Sequence, residues 1–177
     1  ALLVDLSTGA TLGSRGIMNP QISYGEDVMS RLNFALAGGD SLKKIQEVVT
    51  SGIDQAIGKL CQDHQIDRKQ INEITLVANT AMHHLFLGLP VRQLSLSPFV
   101  SLTGQALSVK AWQLGINIAP GGYVYLLPPI AGFVGSDHLA MVLAADIDQL
   151  KGNIIGIDIG TNTEIALKTS SGITSVS

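Results

Sequence analysis

The chain opens with alternating hydrophobic and polar positions. The stretches "LLVDL" and "TLGSRGIMN" have the period of two expected of strands, and Gly9 between them suits a tight turn. This pattern predicts a β-hairpin that ends at Asn19-Pro20. A helical period then begins after Glu26 and Asp27 and stops at Gly38-Gly39. Its apolar face is formed by Val28, Leu32, Ala35 and Leu36.

The most regular helical pattern follows. A helix is predicted from Asp40 to about Gln62, with apolar residues on one face at Leu42, Ile45, Val49, Ile53, Ala56, Ile57 and Leu60. Next, "INEITLVANT" is a short β-branched run that ends in Asn79-Thr80, and "AMHHLFLGL" continues as a helix closed by Gly88 and Pro90. These two segments predict a strand, a polar tip and a helix.

The second half of the chain repeats this order. Residues 91–120 contain scattered prolines and glycines, so we expect irregular structure there with one short helix near residues 105–114. A strand from Tyr123, a loop with Gly132 and Gly135, and a helix that opens near Ser136-Asp137 follow. The last segment, "NIIGIDIGTNTEIALK", predicts a strand, a tight loop and a returning strand.

Alternating strands and helices predict an α/β fold, a mixed sheet flanked by helices with the hairpin at one edge. In such sheets, ligands bind where strands end and loops enter helices. The polar or glycine-rich tips are then candidate sites: Asn79-Thr80, Gly132 to Asp137, and Asp158 to Thr163.

Composition excludes several functions. The 177 residues are 46% hydrophobic, enough for one sizeable core, and the 11 Lys+Arg are scattered in a chain of net charge −3, which argues against nucleic-acid or anionic-membrane partners. No apolar run is long enough to span a bilayer, and the N-terminus does not resemble a signal peptide. Cys61 is the single cysteine, which excludes an internal disulfide or a thiolate-bound cluster in this chain and favours a cytoplasmic location.

The loop after residues 154–157 combines residue types suited to phosphate and magnesium. Asp158 is an acid at the end of a buried strand, where a cation can satisfy its charge. Gly160 allows close backbone approach, and the polar residues Thr161, Asn162 and Thr163 can surround phosphate oxygens. An ordinary tight hairpin with Asp158 as a turn-capping acid is the alternative.

Longer motifs carry a family resemblance. "IIGIDIGTNTEIAL" resembles the second phosphate loop of the superfamily of acetate and sugar kinases, heat-shock chaperones and actin. Within it, "NPQISYGEDVMSRLNFA", "NTAMHHLFLGLPV" and "LPPIAGFVGSDHLA" are similar to the ATPase domain of reductive activators of corrinoid proteins. The resemblance implies that residues 1–177 form a single, incomplete actin-like (ribonuclease H-like) lobe.

That family, as the resemblance implies, couples ATP hydrolysis to the return of an inactive cobalt(II) corrinoid protein to cobalt(I). The implied cofactors are ATP and Mg²⁺, with the metal at Asp158 and the nucleotide near Asp158, Gly160, Thr161, Asn162, Thr163, Asn79, Thr80, Gly132 and Asp137. An iron-sulfur domain outside this chain would deliver the electron. The expected partners are the corrinoid protein and the nucleotide, and the sequence leaves a homodimer open.

The resemblance also implies what residues 1–177 lack. The first phosphate loop, on a strand before "ALLVDL", and the second lobe are not among them. We therefore expect an open sheet position between the hairpin and the strands after it, unless a partner chain or a rearranged segment fills it, and no ATPase activity from this part alone. A sugar or acyl kinase lobe and a non-catalytic actin-like binding module are the alternative functions.

Three polar groups have competing interpretations. Asn79 and Thr80 can face a nucleotide or simply cap the next helix. Asp137 can cap its helix, the interpretation we favour, or hold a magnesium-bound water. His83-His84 point in different directions on a helix, so packing or a helix-surface role is favoured over metal binding.

Overall fold

Strands and helices follow one another in nearly the predicted order. The computed structural model describes residues 1–160 and 162–177, and within them eight strands form three separate sheets accompanied by four α-helices. The strands are β1 (Leu2–Val4), β2 (Thr11–Ser14), β3 (Glu73–Leu76), β4 (Leu107–Lys110), β5 (Tyr123–Leu126), β6 (Ile154–Ile159), β7 (Thr163–Thr169) and β8 (Gly172–Val176). The helices are α1 (Val28–Leu36), α2 (Ser41–Asp63), α3 (Thr80–Leu87) and α4 (Ser136–Ala144).

The predicted hairpin and first two helices are confirmed. Strands β1 and β2 pair antiparallel, with Leu2 opposite Ser14. Helix α1 begins after Asp27, whose carboxylate accepts a hydrogen bond of 2.7 Å from the Ser30 amide. This bond satisfies one of the amides that a helix N-terminus leaves free.

Helix α2 contributes side chains to two parts of the core. Its residues Val49, Ile57 and Cys61 pack with Phe86 and the buried strand residues Val124 and Leu126. Ile45, on another part of the helix, packs with Leu32 of α1 and Leu85 of α3. The apolar stripe of α2 therefore joins the helices to the central sheet.

The central sheet has the order β3-β5-β4. Strands β3 and β5 are parallel, so both end on the same side of the sheet, while β4 pairs antiparallel with β5. The prediction of a short helix near residues 105–114 is wrong for the first half of that segment. Residues 107–110 form β4, because Leu107 and Val109 alternate with exposed residues and pack on the core, and only Ala111–Leu114 form a 3₁₀ turn.

The third sheet has the order β6-β7-β8 and is entirely antiparallel. The predicted strand, loop and returning strand are confirmed, and β8 was not expected. Helix α4 covers one face through Met141 and Val142, and a Cβ added at Gly156 would lie 2.6 Å from Ile147. The opposite face is apolar and exposed, with 64% of Ile155 and 55% of Ile157 accessible. The prediction of a buried strand at residues 154–157 is therefore right for one face and wrong for the other.

A cavity of about 740 Å³ separates the hairpin from the central sheet. Residues 1–7 form one wall, residues 70–75 form the other, and Ile53, Ile57 and Leu60 of α2 contribute apolar side chains. In the described residues, β1 pairs with β2 alone and β3 with β5 alone. The cavity thus lies between two strands that each have an unpaired edge.

The fold is mixed α/β with several sheets, rather than one sheet joined to the hairpin. Within residues 1–160 and 162–177, no helix combines the length and the apolar content that a membrane crossing needs.

Candidate functional site

Two of the predicted tips are joined by hydrogen bonds. The Ser136 hydroxyl lies 3.0 Å from the Ala78 amide, which donates to it, and the Ser136 amide donates to the Ala78 carbonyl at 3.0 Å. The Thr80 hydroxyl donates to the Ala131 carbonyl at 2.6 Å. The end of β3 and the loop before α4 are therefore held together by three hydrogen bonds.

Close backbone approach explains both glycines in this loop. A Cβ on Gly132 would lie 1.8 Å from the Phe99 carbonyl oxygen, and one on Gly135 would lie 2.4 Å from the Cα of Asn79. No side chain fits at these distances. Gly132, predicted to contact nucleotide, is therefore required first for packing against Phe99.

Asn79 and Asp137 lie at the starts of α3 and α4. Asn79 caps α3, since its side chain accepts a hydrogen bond of 2.9 Å from the Met82 amide. The favoured cap role of Asp137 is wrong, because the N-cap of α4 is Gly135. Asp137 lies in the first turn instead, and its Oδ1 accepts from the amide of His138 at 3.0 Å.

The loop between β6 and β7 is tight. The Gly160 amide donates to the Asn162 carbonyl at 3.0 Å, and Asn162 and Thr163 are exposed. Thr161, which the sequence places among the phosphate-binding residues, lies outside the described residues. The exposed polar groups of this loop are accessible to a ligand.

Asp158 lies in an acid-histidine cluster, which we define as His138, Asp158 and Glu164. Asp158 is directly opposite Glu164 in the β6–β7 pair, and both point to the face covered by α4. One ring nitrogen of His138 and one carboxylate oxygen of each acid all lie within 4.8 Å of one another. His138 and Glu164 are buried, and Asp158 is half-buried.

Sequence reasoning missed His138 and Glu164. For Glu164 a signal existed, because a three-residue loop after Ile159 places residue 164 opposite residue 158. For His138 there was none beyond its position after Asp137, since its proximity to β6 depends on how α4 packs.

The cluster has strong negative character. Burial raises the pKa of Glu164, and the nearby charges of Asp137 and Asp158 raise it further. Burial also raises the pKa of Asp137, and the charge of Asp158 raises it further. Carboxylates placed this close favour a bound cation or a shared proton.

His83 and His84 lie elsewhere, in the middle of α3, and both are fully buried. The His84 Nδ1 is 2.8 Å from the Thr80 carbonyl, and its Nε2 accepts from the Leu102 amide at 3.0 Å. The packing interpretation of this pair is confirmed.

Comparison with known proteins identifies the family. The family model described as "RACo middle region" matches residues 1–150. The chain belongs to the RACo family. The matched region ends before β6, so the Asp158 loop lies beyond it.

Two relatives of the chain have names that refer to corrinoid activation or to reduction of a corrinoid protein. The chain is 37% identical over 165 residues to the corrinoid activation enzyme RamQ of Eubacterium limosum, covering 93% of the chain and 28% of that protein. It is 25% identical over 177 residues to the Co(II) methylated amine-specific corrinoid protein reductase of Methanosarcina barkeri, covering 94% of the chain and 31% of that protein.

A solved structure confirms the fold as that of a reductive activator. A "reductive activator for corrinoid,iron-sulfur protein" superimposes with a TM-score of 0.94 at 33% identity, covering 98% of the chain and 28% of that structure. The predicted resemblance to reductive activators is confirmed. The chain spans less than a third of the length of these relatives.

Proposed function

We propose that residues 1–177 are part of an ATP-dependent reductive activator that returns a cobalt(II) corrinoid protein to cobalt(I). One observation supports this most: in a chain of the RACo family, Asp158 lies beside the start of α4, which is hydrogen-bonded to the end of β3. An actin-like lobe with its nucleotide at this place accounts for that arrangement.

Asp158 would hold the Mg²⁺ that accompanies the triphosphate, because oxygen donors are the ligands Mg²⁺ prefers. The backbone amides and polar side chains of Thr161, Asn162 and Thr163 would contact phosphate oxygens, with Gly160 allowing their close approach. Asn79, Thr80 and Gly132 would act indirectly, by holding the starts of α3 and α4 against each other. Asp137 is close enough to Asp158 for the charge of Asp158 to raise the pKa of Asp137. Asp137 would contact a metal-bound water.

The reaction would be phosphoryl transfer to water, in which a protein contributes mainly positioning and charge stabilisation. The electron would come from an iron-sulfur domain outside residues 1–177, since the single cysteine, Cys61, is buried in the core. The corrinoid protein is the proposed macromolecular partner.

Calorimetric titration of the full-length protein with ATP and Mg²⁺ tests the proposal. Asp158→Ala should weaken nucleotide binding by about tenfold or more, because a charge-assisted metal contact is removed. Asp40→Ala is the matched control: it also removes one carboxylate, and Asp40 makes no side-chain capping bond. Undetectable binding of ATP to the wild-type protein would contradict the nucleotide role and favour a non-catalytic binding module.

Product analysis separates the activator from a kinase. Release of inorganic phosphate that requires a corrinoid protein, with formation of cobalt(I) seen in its absorption spectrum, is the expected result. A phosphorylated sugar or acyl compound would instead identify a small-molecule kinase.

A further inference from the structure

The acid-histidine cluster offers donors from three elements to one point. His138 comes from the first turn of α4, Asp158 from β6 and Glu164 from β7. Donor atoms around one divalent ion lie roughly 3 to 4 Å apart, given metal-ligand distances near 2.1 Å. The 4.8 Å limit found here needs only small side-chain movements to reach that geometry.

The surroundings of His138 indicate that one of its ring nitrogens is available to bind a metal ion. Its side chain has no exposed surface, and its Nδ1 has no hydrogen-bond partner among the described residues. Its other nitrogen, Nε2, lies 3.0 Å from the Ser175 hydroxyl of β8. In the tautomer whose Nε2 donates to Ser175, Nδ1 carries a free lone pair.

A histidine that binds metal usually donates its second ring N–H to a neighbouring oxygen, which fixes the tautomer and the orientation of the ring. The Ser175 hydroxyl has this position for His138. An unpartnered buried nitrogen is costly by itself, and coordination to a metal ion would remove that cost.

We propose that His138, Asp158 and Glu164 bind a divalent first-row transition-metal ion, represented by Mn²⁺, and that they bind it without nucleotide. An imidazole ligand favours such ions over Mg²⁺, which prefers oxygen donors and keeps much of its water. This inference deepens the metal site in the proposed function but does not depend on ATP. A positive result here is compatible with failure of the ATPase proposal, and the reverse also holds.

The test is a titration of the chelator-treated full-length protein with Mn²⁺ and, separately, Mg²⁺, in the absence of nucleotide. We expect Mn²⁺ to bind at least about tenfold more tightly than Mg²⁺. Glu164→Gln and His138→Asn should each weaken Mn²⁺ binding by about tenfold or more, as loss of a ligand does. Glu47→Gln, which removes an exposed carboxylate of α2, is the matched control and should change nothing.

Electron spin-echo spectroscopy of the Mn²⁺-loaded protein supplies a second readout. Coupling to an imidazole nitrogen should be present in the wild-type protein and absent in His138→Asn. Should that variant not fold, Glu164→Asp, which retains a carboxylate, should bind Mn²⁺ more tightly than Glu164→Gln. Circular dichroism in chelator verifies that each variant is folded.

Three results would overturn the proposal. These are absence of Mn²⁺ binding to the wild-type protein, equal binding by Glu164→Gln and Glu47→Gln, and a preference for Mg²⁺ without nitrogen coupling. The last result would leave a magnesium site formed by the carboxylates alone.

Discussion

His83 and His84 are neighbours in α3, yet their rings have different surroundings. Both nitrogens of His84 are hydrogen-bonded, which fixes the proton on Nδ1 and a lone pair on Nε2. Neither nitrogen of His83 has a partner among the described residues, although the side chain is fully buried. Burial, with a smaller effect of His84, lowers the pKa of His83 to about 4.

The pKa of His83 predicts a loss of stability in acid. Its value in the folded protein lies below the unfolded value of 6.5, so the unfolded chain takes up the proton first as pH falls. The stability it supports is complete above pH 6.5 and declines between about pH 6.5 and 4. From about pH 7.5 to 5, His83 should account for about 2 kcal/mol of the lost unfolding free energy.

Urea unfolding at the two pH values measures this loss. In His83→Leu the acid-induced loss should be smaller by about 2 kcal/mol, since leucine has no group to protonate. Replacement of the exposed His64 by Gln is the control and should leave the loss as in the wild type. An identical loss in His83→Leu and in the wild type would show that His83 does not titrate in this range.

Sequence reasoning proposes site residues only where a local pattern marks them. Asp158, Gly160 and Asn162 were predicted because an acid, a glycine and polar residues follow an apolar strand, and their binding roles stay predictions. His138 was missed because its role depends on the packing of α4 against β6, which no spacing along the chain encodes. The same dependence misassigned Asp137, since sequence alone does not show which residue precedes the first helical turn.

At the scale of elements, periodicity predicted the long segments and failed on the short ones. Helix α2 has 23 residues, which gives several turns over which its apolar stripe can repeat. Strand β4 has four residues among prolines and glycines, and it is stabilised by pairing with β5, a contact distant in sequence. How the strands divide into three sheets is likewise set by tertiary pairing.

The cavity between β1 and β3 leads to a prediction about these two strands. An unpaired strand edge is normally covered, and an apolar cavity with such an edge on two sides suits an extended segment. We propose that a strand from outside residues 1–177 pairs there and joins the hairpin to the central sheet. Amides of Leu2–Val4 and Glu73–Leu76 should then exchange with deuterium more slowly in the full-length protein than in residues 1–177 alone.

Hydrogen exchange followed by mass spectrometry gives this comparison directly. Peptides from the middle of α2, which is already paired internally, provide the control and should exchange similarly in both proteins. Equal exchange of β1 and β3 in the two proteins would mean that no strand occupies the cavity.

At the scale of the whole molecule, the exposed apolar face of the third sheet agrees with a chain that functions as part of a larger protein. Ile155, Ile157 and Ile159 are 64%, 55% and 81% exposed on the face opposite α4. Contiguous apolar surface of this kind marks a place where other protein packs. The chain spans less than a third of the length of its relatives.

The family resemblance also predicts how residues 1–177 behave in isolation. In the fold that the resemblance implies, two phosphate loops bind ATP. Of these two loops, residues 1–177 contain the Asp158 loop. Each missing charge-assisted hydrogen bond is worth roughly 1.5 to 3 kcal/mol, so loss of several weakens affinity by several powers of ten. We therefore expect the isolated residues to fold, with the circular dichroism of an α/β protein, but to show no ATPase activity and no sub-millimolar affinity for ATP. Calorimetry and a phosphate-release assay, each with the full-length protein as positive control, measure both properties. Turnover of ATP by the isolated residues would show that the Asp158 loop and its neighbours are sufficient by themselves.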